Sequence, residues 1–586
     1  MCSIIAYMGS KIAAPVLVKG LRRMEYRGYD SVGLATFAKK QILVRKGVGK
    51  VDDVNRALRL EKMNGSVGIG HTRWATHGGV TDKNAHPHQS CKNDIAIVHN
   101  GIIDNYNELK KSLIAKGHKF KSETDSEVIA HLLGEFLGKN KDIKKAMTDV
   151  TSKLEGAYAF VAVLDDGTLA GARYDEPLIV GIAKDGYYIS SDVLGFIEHT
   201  DQAIFLDNHE IVIIDSNGLT IHGPDGSKVK KHVTQIAWEL ADADKGKFAH
   251  HTLKEINEQK NTIAKAFSIP KSDLQEFVKV LSNSKKVLIT GSGSSYHTAL
   301  IAKQLFSRFC KLQCEAVISS EFHYGSNLFA KGSVLMAISQ SGETADLLQV
   351  VKTAKAAKVK VLSLVNVTTS SLTRASDLFL GINCGPEIGV AATKSFTAQL
   401  ALVYRIASEL SNRDLHININ DLEKSIGSVL NNVKNVAKIA EQIKHIGNIY
   451  VLGRGLHFPI ALEAALKLKE LVYVHAEGIP AGELKHGPLA LMDENTTVIM
   501  LNPEDETYHD TLSNVHEIKA RGAIVVGVSN INSSKYDEWI RIPKVNELLY
   551  PVLEVIPIQL LAYLTAVKRE SNPDYPRNLA KSVTVK

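Results

Sequence analysis

The sequence predicts an α+β domain followed by two tandem α/β domains, each built on a parallel sheet. Two observations predict it. Near residue 240 the pattern changes from short β-runs to strands alternating with longer helices. The second half also repeats itself. "VLITGSGSSYHTAL" and "IYVLGRGLHFPIAL" both read as strand, glycine turn and helix, with Gly291/Gly293 displaced from Gly453/Gly455 by 162 residues.

A chain of 586 residues is too long for one core, so two to four domains are expected. With 44% hydrophobic and 23% charged residues the composition is that of a globular protein. The net charge of +7 is modest and both signs are interspersed, which argues against nucleic acid as a main partner and leaves small anions admissible. No uninterrupted apolar run approaches the roughly 20 residues of a membrane span, so no membrane is expected. The N-terminus lacks the basic-then-apolar layout of a signal peptide. Five cysteines (Cys2, Cys91, Cys310, Cys314, Cys384) form no regular framework, which suits a reducing cytoplasm.

In residues 1–237, "DIAIVHNG", "AYAFVAVL", "LIVGIA", "YYISSD" and "EIVIID" read as strands, and "YNELKKSLIAKG" and "SEVIAHLLGEFLG" as the two helical stretches. The polar "DADKGKFAHH" (242–251) is the linker candidate, within a linker and leading helix over 238–274. The first α/β copy spans 275–410 and the second 440–570, followed by a tail at 571–586. A single amphipathic helix over 411–439 is expected to bridge the copies.

The copies differ where chemistry would sit. After its second strand the first carries "SQSGET", with Ser339, Gln340, Ser341 and Thr344 at a helix N-terminus, and its "GSGSS" turn adds Ser294 and Ser295. Two such loops at neighbouring strand ends suit a phosphate, although one alone is also an ordinary helix cap. The second copy has "NPEDET" there, whose acidic residues would repel phosphate. Neither GxG has the third glycine or the acidic partner of a dinucleotide fingerprint, and no GK[ST] marks a P-loop. The second copy instead carries "LEAALKLKELVYVHAEGIPAGELKHGPLAL". Lys467 and Glu470 share a helix face with Glu463 nearby, and His486 follows in a glycine-bounded loop. This is either a proton-transfer set or a solvated helix beside a lone loop histidine. The tail has no period, and unaided it would not single out Lys581.

At the other end, Cys2 follows Met1 directly. Removal of Met1 would leave a thiol and a free amine on one residue.

Several stretches resemble a known family. "LRRMEYRGYDS", "HTRWATHG", "NAHPH", "VHNGIIDNY" and "SETDSEVIAHL" look like an N-terminal-nucleophile glutaminase domain, an αββα sandwich. "SQSGETAD", "PEIGVAATKSFT", "ALKLKE", "AGELKHGPLAL" and "PRNLAKSVTV" look like paired flavodoxin-like sugar-isomerase (SIS) domains. This order resembles the glutamine–fructose-6-phosphate aminotransferase (isomerizing) family along essentially the whole chain. The resemblance implies L-glutamine and D-fructose 6-phosphate as substrates and L-glutamate and D-glucosamine 6-phosphate as products, at the first step of hexosamine synthesis. It implies a homodimer through the isomerase half.

By that resemblance Cys2 is the nucleophile and its own amine, with a pKa of about 7.7–8.0, the base. Asn100 and the Gly101 N–H would form the oxyanion hole. Arg73 would hold the glutamine carboxylate and Asp125 its ammonium, with Thr76 and His77 lining the pocket and Trp74 gating ammonia. Ser294, Ser295, Ser339, Gln340, Ser341 and Thr344 would bind phosphate, with Val390 and Ala580 touching the sugar. His486 would open the ring, Lys581 form a Schiff base, and Glu470, assisted by Lys467, move the proton between C1 and C2. The imine acts as electron sink, so no cofactor is expected. Neither His71/His77 nor His86/His88 has the supporting ligands of a zinc pattern, so no metal is expected.

Ser3 and Ala6 stand where the family has glycines, which leaves open an isomerase fed by free ammonia beside a weakened glutaminase. A non-catalytic sugar-phosphate sensor is a further alternative, disfavoured by the presence of Glu470, His486 and Lys581 together. The "HTL" at 251–253 and Lys586 also depart from the family pattern.

Overall fold

The computed structural model describes residues 2–140, 142–236, 244–325, 329–411 and 413–584. The start of the expected linker, 238–243, lies outside them. Two compact units emerge, Met1–Asp242 with Ala580–Lys586, and Ala243–Leu579.

The first unit is layered helix–sheet–sheet–helix. Its eight-stranded sheet runs Thr234–Gln235, Gln202–Phe205, Ile179–Ala183, Gly186–Ser190, Ser3–Gly9, Val67–Arg73, Ser31–Ala38, Gln41–Val48. A six-stranded antiparallel sheet packs against it through alternate residues: Ile4, Ala6 and Ile69 meet Ala96, Val98, Ala159 and Val161 in one core. The intervening residues of the second sheet, Ile95, Ile97 and Phe160, face Val128, Ile129, Leu133 and Met147 of two helices. Strands covered on both faces lose the apolar/polar alternation, which is why these runs read as continuously hydrophobic.

The described residues of this unit hold five helices rather than two: Ala13–Arg23, Val51–Leu58, Tyr106–Ala115, Glu127–Asn140 and Ile143–Thr151. The first contains Pro15 and Gly20 and escapes a propensity reading. Gly20 is needed there, because a Cβ would lie 2.2 Å from Ile5 and 2.7 Å from the Gly195 carbonyl.

The second unit contains two five-stranded parallel sheets. The strands run Cys314–Ile318, Lys286–Gly291, Ser333–Ser339, Lys360–Val365, Leu378–Gly381 in one, and His475–Pro480, Asn448–Gly453, Thr497–Leu501, Ile524–Ser529, Glu538–Arg541 in the other. Within each copy this is the order 2-1-3-4-5 of flavodoxin-like sheets. The turns correspond too, Gly293 and Gly455 having φ of +54° and +55°.

The expected single bridging helix is two, Ile419–Asn431 and Val433–Ile443, broken at Asn432. Adjacent asparagines are weak helix formers, and each half still buries its own stripe, Leu422/Ile426/Val429 and Val436/Ile439/Ile443. One helix, Glu547–Lys568, is long and apolar enough by composition to cross a membrane, although Glu554 and Gln559 interrupt its apolar run. Tyr550–Lys568 is instead a core helix, buried on nearly every side, Glu554 included.

Candidate active site

Cys2 sits at the mouth of the strand Ser3–Gly9, hydrogen-bonded in register between Val67–Arg73 and Gly186–Ser190. Its sulfur accepts the Trp74 N–H at 3.3 Å and lies 3.5 Å from the Trp74 carbonyl. Its carbonyl accepts the Asn100 side-chain amide at 3.1 Å and the Arg27 Nε–H at 3.4 Å. Arg27 is buried and paired with Asp192 at 3.0 Å, which also accepts the Tyr26 hydroxyl at 2.8 Å. The "LRRMEYRGYDS" stretch thus braces the backbone behind the sulfur. Burial pushes the Cys2 thiol above its ordinary pKa, against the pull of the Trp74 N–H and the Arg73 charge.

The convergent groups come from neighbouring strand ends. Asn100 and Gly101 lie on Ile95–Ile103; Gly101 has φ +108°, and a Cβ there would stand 2.0 Å from the Ala157 carbonyl. Arg73 ends its strand buried, its guanidinium donating to the carbonyls of Gly78 (3.0 Å) and Gly79 (3.1 Å) and to that of His77. Asp125 is buried and accepts the Ile103 N–H at 2.8 Å. His77 is half-buried with its ring edge-on to Tyr106, Trp74 is half-buried, and Thr76 is exposed.

A residue the sequence reading weighed only as a metal ligand orients this set. The His71 Nε2 faces two acceptors, the His99 carbonyl at 3.0 Å and the Asn100 Oδ1 at 3.2 Å. A carbonyl can only accept, so Nε2 carries the hydrogen, and Asn100 must turn its oxygen to His71 and its NH₂ toward Cys2. Burial lowers the His71 pKa to about 3, keeping the ring neutral. His86 stacks on it at 4.1 Å and accepts the His99 N–H at 3.2 Å.

Ser3 fits its strand without glycine geometry: it is buried and donates to the Met24 carbonyl at 2.8 Å. Ala6 is fully buried in the core between the sheets.

In the second unit the first copy's strands Lys286–Gly291 and Ser333–Ser339 are neighbours at the point where strand order reverses. Ligands bind at such switch points. From one strand end comes the Gly293 turn into the helix Ser294–Phe309; from the other comes Ser339–Thr344 into Ala345–Ala356. Ser339 Oγ accepts the Gly342 N–H at 2.9 Å and keeps its own hydrogen to donate, and Ser341 Oγ accepts the Glu343 N–H at 3.2 Å. Gly342 has φ +68°, and a Cβ there would collide with Ser370 Oγ at 2.0 Å. The Gln340 carbonyl is tied to the Val367 N–H at 3.3 Å, and Thr344 is the helix cap residue, its side chain making no capping bond. The other two serines are spoken for: Ser294 donates to Glu463 at 2.9 Å, and Ser295 accepts from Gln399 at 3.1 Å.

Glu463 and Lys467, on the helix His457–Val472 of the second copy, are wholly buried. Lys467 Nζ lies 3.3 Å from Glu463 and 2.6 Å from Glu470, and His297 reaches the other Glu463 oxygen at 2.7 Å. Burial alone would lower the Lys467 pKa, but the two carboxylates carry it above its ordinary value. Burial alone would raise Glu463, yet Lys467, His297 and Ser294 hold it below. Lys467 is therefore a fixed cation that aims Glu470. His297 and Gln399 are members that the sequence motifs did not reveal.

His486 stands exposed at the end of the turn Ala481–His486. The Val390 N–H reaches the Asp574 carbonyl at 3.3 Å, which leans the loop 385–393 on the start of the tail. Ala580 and Lys581 belong to the stretch that groups with the first unit, Lys581 half-buried there.

The second copy has no comparable anion cradle. The acids of its loop are paired within the protein: Asp505 takes His457 Nε2 at 2.8 Å while Glu554 takes Nδ1 at 2.8 Å, and Glu506 pairs with Arg308. Burial works against the His457 charge, but the two carboxylates raise its pKa to about 10.

Comparison with known proteins recovers both kinds of domain. A glutamine amidotransferase domain profile matches residues 71–197, and a SIS domain profile matches twice, at 280–408 and 442–569. Proteins named glutamine–fructose-6-phosphate aminotransferase [isomerizing] from Pyrococcus horikoshii and Aquifex aeolicus are 43% and 42% identical, with all of each chain covered. The solved C-terminal domain of glucosamine-fructose-6-phosphate aminotransferase from Francisella tularensis is 32% identical with a TM-score of 0.51, covering 56% of this chain and 99% of its own. With full-length identity at this level, the chain belongs to the glutamine–fructose-6-phosphate aminotransferase (isomerizing) family.

Proposed function

We propose that this chain converts L-glutamine and D-fructose 6-phosphate to L-glutamate and D-glucosamine 6-phosphate, in the cytoplasm and as a homodimer through its isomerase half. The observation that carries the reading is the Cys2 sulfur held at the Trp74 N–H, with the Asn100 amide turned by His71 onto the Cys2 carbonyl.

Removal of Met1 frees the Cys2 amine to take the thiol proton. The thiolate attacks the glutamine side-chain amide, and Asn100 with the Gly101 N–H stabilises the oxyanion. Glutamine displaces the Cys2 carbonyl as partner of the Asn100 amide. Collapse of the adduct expels ammonia and leaves a thioester, which water hydrolyses to glutamate. Arg73 and Asp125, of opposite charge and both buried, hold the two charged ends of the amino acid. In the isomerase half the 339–344 loop and the helix N-terminus behind it hold the sugar phosphate. His486 opens the ring, the Lys581 amine condenses with the C2 ketone, and ammonia replaces it. Glu470, positioned by Lys467, then moves a proton from C1 to C2.

The comfortable fit of Ser3 gives no support to a weakened glutaminase. The test is conversion by the purified full-length protein. Glutamine and fructose 6-phosphate should yield glucosamine 6-phosphate, and Cys2→Ala should abolish the glutamine-dependent route. Full glutamine-dependent activity in that variant would overturn the assignment.

A further inference from the structure

Among the described residues, one group of metal-ligand atoms converges outside both sites: Cys91, His118 and His131, in the first unit. Cys91 lies on the turn between His88–Gln89 and Ile95–Ile103, His118 just past the helix Tyr106–Ala115, and His131 on the helix Glu127–Asn140. Cys91 Sγ is 3.7 Å from His118 Nδ1 and 3.5 Å from His131 Nδ1, and the two Nδ1 atoms are 3.4 Å apart. We propose that these three residues form a zinc-type metal site, a reading independent of the catalytic one.

The triangle has the size of one face of a metal tetrahedron. With Zn–N near 2.0–2.1 Å and Zn–S near 2.3 Å, tetrahedral angles give N···N edges of about 3.3–3.4 Å and S···N edges of about 3.6 Å. All three edges agree to about 0.1 Å.

The surroundings orient the ligands. Glu127 is a carboxylate that accepts the Lys121 N–H at 2.8 Å and the Ser122 N–H and hydroxyl at 2.6 Å each. It faces His131 Nε2 at 3.4 Å, so Nε2 carries the ring hydrogen and Nδ1 presents a lone pair to the centre of the triangle. A carboxylate behind a ligating histidine is the usual outer partner of a zinc site. The Lys119 N–H donates to the sulfur at 3.4 Å and helps hold it in place. One sulfur and two imidazoles select a borderline-soft cation and disfavour magnesium or calcium, which require oxygen ligands. Cys91 is exposed, so solvent reaches the fourth vertex.

The site would tie together three segments, and the chain between His118 and His131 carries Asp125, the candidate partner of the glutamine ammonium. Zinc would therefore act as a clamp on the segment that presents Asp125.

The test uses full-length protein freed of metal by a chelator and titrated with Co²⁺, then Zn²⁺. One equivalent of Co²⁺ per chain should give intense tetrahedral d–d bands and a thiolate-to-metal charge-transfer band, both erased by Zn²⁺. Cys91→Ala, at an exposed position, should lose the charge-transfer band, and Cys2→Ala should keep it. Glu127→Gln should weaken binding by about 10–100-fold. A weak spectrum like that of the hydrated ion, or a charge-transfer band that survives Cys91→Ala, would overturn the proposal.

Discussion

His71 acts on glutamine only through its neighbour. Its one ring hydrogen sits between the His99 carbonyl and the Asn100 oxygen, and that is what fixes which end of the Asn100 amide faces Cys2. Removing it leaves the oxyanion donor present but unaimed. His71→Ala should therefore lower kcat for glutamine hydrolysis by roughly 10–100-fold, short of the 10²–10³ of deleting such a donor, with KM little changed. A raised KM at unchanged kcat would instead assign His71 to binding. Ser3 poses a milder case. Its buried hydroxyl satisfies the Met24 carbonyl, so Ser3→Gly should cost about 1 kcal/mol of stability and leave glutamine turnover unchanged, read by denaturant melts and steady-state assay. At this scale the sequence shows a residue when its partners are close along the chain or its motif is long. Cys2, Arg73, Asn100 and Asp125 were legible through such stretches. His71 and the Cys91–His118–His131 triangle were not, because each depends on partners 13 to 29 residues away that the folded sheets and helices bring near.

The two parallel sheets share one strand order, yet their corresponding loops have gone opposite ways. The first keeps a small-residue loop beside its switch point, while the second fills the corresponding place with charge: His457 occupies the position of Ser295 and is clamped between Asp505 and Glu554. A buried imidazolium makes that element pH-sensitive. The folded-state pKa of about 10 lies above the ordinary 6.5, so its contribution is fully present below pH 6.5 and is lost as the pH rises through about 10. The melting temperature should fall between pH 7 and pH 10, and more steeply than in His457→Asn, which cannot carry the charge. Equal slopes would show that the pair contributes nothing. The sheets were legible because strand–helix alternation with a tandem offset is a strong signal. The break at Asn432 was not, since both halves keep an apolar stripe and periodicity alone cannot register a change of axis.

For the whole molecule, the proposed reaction has one obligatory intermediate shared by the halves, and it is ammonia. Each half performs chemistry that is complete in itself, a thioester in one and an imine in the other. Supplying the shared intermediate from outside should therefore separate them. Cys2→Ala cannot release ammonia from glutamine, but it leaves untouched the 339–344 loop and the Lys467–Glu470 pair. With ammonium salts in place of glutamine it should still make glucosamine 6-phosphate, faster as rising pH increases the neutral, nucleophilic fraction. Glu470→Gln keeps the shape of the helix and the Lys467–Glu463 pair but removes the group that moves the C1 proton, so it should be inactive with either nitrogen source. The decisive comparison is the product formed by these two variants with glutamine and with ammonium. If Cys2→Ala is as dead with ammonium as with glutamine, the thiol serves the sugar half as well, and the division of labour between the modules is wrong.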